Sequence, residues 1–132
     1  NREREVLDLV QQHPGTFRYL GKVYDKEKLQ HIYAENCVFA MPSLHETFGL
    51  VYVEALSQGL SLLYTKGEGI DGLFEEKVGE AVTPTDVNGI AEALRLLLAQ
   101  PEQYQRPATF ARFNWEEIAE KYQNIYDTPS IC

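Results

Sequence analysis

Basic charge is scarce in this sequence: twelve Lys and Arg stand against twenty Asp and Glu in 132 residues, for a formal net charge of -8. Nucleic acids and anionic bilayers reward clustered cations, so a nucleic-acid partner is excluded and a membrane surface is not the main one. Cysteine is nearly missing, with Cys37 and Cys132 the two present. Two isolated thiols make neither a disulfide framework nor a zinc-ligand spacing, which leaves a reducing cytoplasm as the simplest compartment. Cys37 stands directly before an apolar run and is expected to be a small buried hydrophobe, while Cys132, the last residue, is incidental. No apolar run approaches the ~20 residues of a spanning helix. Internal repeats and low-complexity segments are absent. The opening "NREREVLDLV" is too charged for a secretory leader and reads like the inside of a helix rather than a fresh translation start.

What is present is ordinary globular composition, 44% hydrophobic and 24% charged, in a length that fits one domain at most. Val6, Leu7, Leu9 and Val10 among charges predict an amphipathic helix over 2–12, ended by "HPG". "TFRYLGKV" alternates and predicts a strand at 16–21. Asp25 is placed to cap a helix through "KEKLQHIYAEN" with Leu29, Ile32 and Tyr33 inward. "CVFAM" (37–41) has the continuous apolarity of a parallel strand covered on both faces. "PSLHETFG" is a loop, "LVYVEALSQG" a helix closed by Gly59, and "LSLLYT" (60–65) the next strand. "KGEGIDGLFEEKVGE" is glycine-rich, with one helical turn expected around Ile70–Phe74, and "EAVTP" (80–84) is a last strand. "TDVNGIAEALRLLLAQP" predicts a helix with Ile90, Ala91, Ala93, Leu94, Leu97 and Leu98 inward. Two shorter helices follow at about 102–112 and 115–126. Strands alternating with helices predict an α/β fold, a parallel sheet flanked by helices.

In such sheets ligands sit in the loops at the carboxyl ends of strands. "PSLHETFG" is one, and it runs into a helix whose first turn, near Gly49–Tyr52, offers backbone N–H groups and the positive end of the dipole to a phosphate. Gly49 carries no side chain to obstruct the backbone. Glu46 lies in the loop. Glu54 lies roughly 7 Å along the axis from Gly49 at the standard helical rise, in a run apolar enough to read as buried. An ionised carboxylate there needs a partner, either a cation from a neighbouring helix or a ligand. Glu46 in turn is either a solvated loop acid or a ligand contact. Carboxylates accept hydrogen bonds from adjacent hydroxyls, so a sugar at Glu46, a phosphate at the helix start and a ribose at Glu54 together describe a nucleotide sugar.

The stretch "VFAMPSLHETFGLVYVEALSQGLSLLYTKGEGIDGLFEEKVGEAVTP" resembles the carboxyl-terminal domain of retaining GT-B-fold glycosyltransferases of the glycogen-synthase and sucrose-synthase group. The family's Glu-x7-Glu motif falls on Glu46 and Glu54, its "FG" on Phe48 and Gly49, and its Pro-Ser lead-in on Pro42 and Ser43. "FRYLGKV" and "FNWEEIAEKYQNIY" extend the likeness over nearly the whole chain. The resemblance implies a Rossmann-like fold with Glu46 catalytic, facing the donor sugar. Thr47, Phe48, Gly49, Leu50 and Val51 would face the sugar and diphosphate, and Glu54 the ribose. Gly21, Val23 and Tyr24 would lie near the base. It implies no metal and no cofactor, and front-face transfer of a hexose with retention. The family often has a Gly-Gly-x-x-Glu loop where this chain reads "KGEGIDGL", so Glu68 and Asp71 receive no role; His45, His13, His31, Lys22 and Lys66 read as solvated.

A helix dipole contributes only ~0.3–1 kcal/mol when exposed, so cations must complete a diphosphate site. In the family an Arg and a Lys come from the first strand–loop–helix unit of this domain. Residues 1–132 are therefore expected to be a partial domain lacking that unit and the amino-terminal domain that binds a glycan or lipid-linked acceptor. The family's strand order of 3-2-1-4-5-6 makes "TFRYLG" strand 3, "CVFAM" strand 4, "LSLLYT" strand 5 and "EAVTP" strand 6. Alone the chain is expected to be marginally stable, prone to associate and inactive. The full-length protein is expected in the cytoplasm, able to associate peripherally with the inner face of a membrane. The alternative reading is a non-catalytic nucleotide-sugar-binding module or one half of a split transferase. A related GT-B-type enzyme, an epimerase or phosphorylase, is the third.

Overall fold

A computed structural model of the chain describes residues 2–47, 49–104 and 107. The chain divides into two compact units, residues 1–32 and 33–132.

In the first unit, helix α1 (Arg2–Gln12) forms where the periodicity placed it. It ends as His13 N donates to Leu9 O and Thr16 N to His13 O, with Gly15 at φ 84. Helix α2 (Lys26–Ala34) starts at Asp25, whose Oδ1 accepts from Lys28 N at 3.1 Å, the N-cap that the sequence predicts. The strand expected at 16–21 does not form. Phe17, Tyr19 and Leu20 are 52%, 42% and 40% exposed, and residues 17–25 carry no regular structure. A β-strand exists only as one side of a ladder, and the described part of this unit holds no strand to pair with.

The second unit is built on a three-stranded parallel sheet, β1 (Val38–Ala40), β2 (Ser61–Thr65) and β3 (Gly79–Val82), in that order. Phe39 aligns with Leu62, and Leu63 with Glu80. These are the adjacent positions expected for strands 4, 5 and 6. Helix α3 (Leu50–Ser57) follows β1 and helix α4 (Val87–Ala99) follows β3. Alternation along each strand sends Leu63 and Val82 to one face, where Leu97, Ile90, Ala93 and Leu94 of α4 pack with Val38. Phe39 and Tyr64 point the other way and meet the Tyr52 ring of α3 edge to face, at centroid distances of 5.7 and 6.5 Å. Helices thus pack on both faces of the sheet.

The helix ends follow local chemistry. Gly59, at φ 90, donates to Leu56 O while Leu60 N donates to Ala55 O, the paired bonds of a Schellman closure. Asp86 caps α4 by accepting from Gly89 N at 3.0 Å.

Other expectations are corrected. Cys37 is exposed, at the position just before β1 begins. Ala40, too, is exposed, so β1 is only partly covered. Leu98 is 63% exposed, since a helix on a sheet buries one stripe and Leu97 takes it. Residues 66–73 form consecutive turns rather than a helical turn, shaped by glycines at positive φ. Pro101–Gln103 is a 3-10 turn and Tyr104 is extended, so no α-helix begins at 102, and the rest of the helix expected at about 102–112 lies, but for residue 107, outside the described residues. The helix expected at 115–126 lies outside the described residues.

A candidate donor site at the carboxyl ends of β1 and β2

The loop between β1 and α3 is held at several points. Thr65, the last residue of β2 and only 5% exposed, donates its hydroxyl to Ser43 O at 2.6 Å. The Tyr52 hydroxyl donates to Met41 O. Glu46 N donates to Glu68 Oε2 at 2.7 Å, and Tyr52 N to Gly49 O at 2.9 Å. The first three bonds satisfy loop backbone groups, and the fourth closes the first turn of α3 on its N-cap.

Glu46 is half-buried, and its Oε1 accepts from Thr47 N at 3.0 Å. Burial first, and the Glu46 charge second, push the Tyr52 phenol above its usual range.

Gly49 is the N-cap of α3, in the left-handed region at φ 70 and ψ 63, and no side chain caps the helix. A Cβ there would drive into the Tyr52 ring, 2.7 Å from Cε2, and stand 3.3 Å from Glu46 Cγ. Tyr52 is 1% exposed and cannot swing aside. We expect Gly49→Ala to destabilise the protein by roughly 1–3 kcal/mol through backbone strain and this overlap. A melting curve matching the parent's would show that the loop relaxes instead.

Glu54 corrects the premise that drew attention to it. The helix is apolar, but Tyr52, Ala55 and Leu56 form its buried stripe, and Glu54 lies on the opposite, exposed side with Leu50 and Ser57. No desolvation cost demands a partner there. Nor does an ion pair supply one, for no Lys or Arg pairs with Glu54 among the described residues. The Tyr33 phenol is raised by burial first and then by the Glu54 charge.

Thr47 and Leu50 are exposed and Val51 is half-buried around the start of α3, while Phe48 lies outside the described residues. Gly21, Val23 and Tyr24 belong to the first unit, with Gly21 at φ 65 and Tyr24 85% exposed. His45 is open to solvent, as expected, with its side chain 95% exposed. A cavity of about 380 Å³ lies elsewhere, at the end of β3 between Lys66, Glu80, Thr83, Asp86 and Glu92, and includes neither Glu46 nor Glu54. No group of three or more His, Cys, Asp or Glu among the described residues is arranged to hold a metal ion.

Three residues of the loop framework were missed from the sequence: the side chains of Tyr52 and Thr65 were not singled out, and Glu68 was given no role. Their signals are weak but physical. Thr65 ends a strand, Tyr52 sits one turn after Gly49, and Glu68 stands between two glycines in the loop that leaves the strand next to β1.

A parallel sheet with helices on both faces and a pinned acidic loop at its carboxyl edge is an α/β domain of Rossmann-like type. A sucrose-phosphate synthase from Thermosynechococcus elongatus superposes with a TM-score of 0.75 at 30% identity, over 95% of this chain and 33% of that one. The chain belongs to the family described as glycosyl transferases group 1, which it matches over residues 3–123. It is 30% identical to a glycogen synthase of Mycobacterium tuberculosis, over 83% of this chain and 28% of that protein. It is 35% identical to a D-inositol 3-phosphate glycosyltransferase of Corynebacterium urealyticum, over 76% of this chain and 25% of that protein. The chain thus spans about a quarter to a third of the length of these relatives.

Proposed function

We propose that this chain is the donor-binding half of a retaining glycosyltransferase that moves a hexose from a nucleotide sugar to a glycan or lipid-linked acceptor. The observation that carries the reading is the joint placement of Glu46 and Glu54 about the left-handed Gly49. One carboxylate is held in a pinned loop, and the other stands on the outward side of the helix that the loop enters. Membership of the glycosyl transferases group 1 family supports it.

In this reading Glu46 contacts the donor sugar and favours the positive charge that develops at its anomeric carbon. The backbone of Thr47–Val51 receives the diphosphate, Glu54 accepts hydrogen bonds from the ribose hydroxyls, and Gly21, Val23 and Tyr24 lie near the base. The departing diphosphate takes the acceptor's proton, and anomeric configuration is kept. With a net charge of -8 on this chain, the cations that neutralise the diphosphate come from the first strand–loop–helix unit of the domain, and the acceptor from an amino-terminal domain. Residues 1–132 alone are then inactive. We place the full-length protein in the cytoplasm, at times against the inner face of a membrane; no helix of the described residues is long and apolar enough to cross one.

Glu54 provides the test. In the full-length protein Glu54→Gln should weaken nucleotide-sugar binding by roughly 1–3 kcal/mol, the value of a hydrogen bond to a charged group. Its melting temperature should hold, since the side chain is exposed and unpaired within the described residues. Calorimetric titration with a panel of nucleotide sugars reads both the donor and the loss. Unchanged affinity for a donor that binds the parent would remove Glu54 from the site.

A further inference from the structure

The loop after β2 does more than connect. Glu68 sits between Gly67 at φ 79 and Gly69 at φ 59, a local path that side-chain-bearing residues rarely follow. Glu68 N donates to Thr65 O at 3.4 Å, Asp71 N donates to Glu68 O at 3.1 Å, and Gly67 N donates to Asp71 Oδ2 at 2.6 Å. Ile70, 1% exposed, anchors this turn in the core. The turn therefore fixes the Glu68 backbone on both sides and aims its carboxylate across to the neighbouring loop.

That carboxylate meets two consecutive residues. Oε2 accepts the Glu46 backbone N–H at 2.7 Å, and Oε1 lies 3.6 Å from His45 Nδ1. The Glu68 side chain is one-third exposed, so the bond is partly shielded from competing water. It is the described contact by which the loop after β2 grips the Glu46 backbone itself; the other ties hold the loop at Met41, Ser43 and Gly49.

We infer that Glu68 is a positioning residue, which fixes the main chain of Glu46 and so holds its carboxylate in the geometry that transfer requires. Asp71 serves it in turn, by closing the turn on which Glu68 stands. Glu68 does not touch the reacting atoms. Its effect is on the orientation of Glu46, and a small misplacement of such a group costs rate more than binding.

The inference rests on the proposed function for its catalytic consequence, and on geometry alone for the contact, so two readouts are taken on the full-length protein. In Glu68→Ala, amide hydrogen exchange in a peptide covering residues 44–50 should quicken, and in Glu68→Gln, which keeps an acceptor oxygen, it should return towards the parent value. In transfer from the nucleotide sugar that binds the parent, Glu68→Ala should lose about tenfold in kcat with donor KM within about twofold, and Glu68→Gln should recover most of that loss. Unaltered exchange in Glu68→Ala overturns the contact. Quickened exchange with parental kcat overturns the positioning role. A KM rise with kcat intact overturns it too, because Glu68 would then bind donor directly. If the parent transfers no sugar from any nucleotide donor, the proposed function falls, and the exchange arm still decides whether Glu68 holds Glu46.

Discussion

Glu46→Gln in the full-length protein is expected to lower kcat by ~100-fold or more, with a modest change in donor KM. The magnitude is that of removing one preorganised group that favours transition-state charge. The split follows because a charge that forms during reaction is felt little in the ground state. The substitution is nearly isosteric, and a Gln Oε1 can still accept from Thr47 N, as Glu46 Oε1 does at 3.0 Å. Glu46 N keeps its bond to Glu68 in the variant, because that bond is made by the backbone. Stability should therefore be untouched while turnover collapses. Steady-state transfer kinetics alongside a melting curve check both halves, and a variant with near-parental kcat would remove Glu46 from the catalytic residues.

The second large effect has the opposite character. Gly79→Ala should destabilise the protein by about 3 kcal/mol, at the upper end of the usual cost of overpacking. Gly79 opens β3 and lies in register with Leu62 of β2. A Cβ at this position would overlap the Leu62 carbonyl oxygen and come within 2.6 Å of its carbon. The obstacle is main chain in the middle of the sheet, and Leu62 is fully buried, so no side chain can turn aside to admit the methyl group. The β2–β3 ladder must shift, and with it the Leu63, Val82 and Leu97 cluster that seats α4. Thermal or denaturant unfolding of the full-length protein reads the loss. An unchanged midpoint would mean that β2 and β3 separate without strain.

Much of the architecture was legible in the residues, and the misses share one cause. Where a signal is local, it holds: the Asp25 cap, the Gly59 closure and the periodicity of α1 depend on bonds between residues close in sequence. The failures come where the outcome depends on a distant partner. The alternation of "TFRYLG" is a strand pattern, but no strand of its unit is described beside it, and it stays unladdered. Apolar neighbours made Glu54 look buried, yet burial is decided by which face of α3 meets β2, and that face carries Tyr52, Ala55 and Leu56. Cys37 was misjudged likewise, from the apolar run that follows it.

By itself, then, the sequence determined the class of fold, the order of β1, β2 and β3, and the loop where chemistry was to be sought. The class of fold and the loop follow from hydrophobic period, from turn residues and from the rule that parallel strands open their loops at one edge, and the strand order follows from the resemblance to the GT-B family. Only the tertiary structure decided how that loop is held. Glu46 and Glu68 are 22 positions apart, as are Ser43 and Thr65, and neither pair has any local signature. They meet because parallel pairing of β1 with β2 brings two successive carboxyl-end loops side by side, and an unsatisfied backbone group in one then finds its partner in the other.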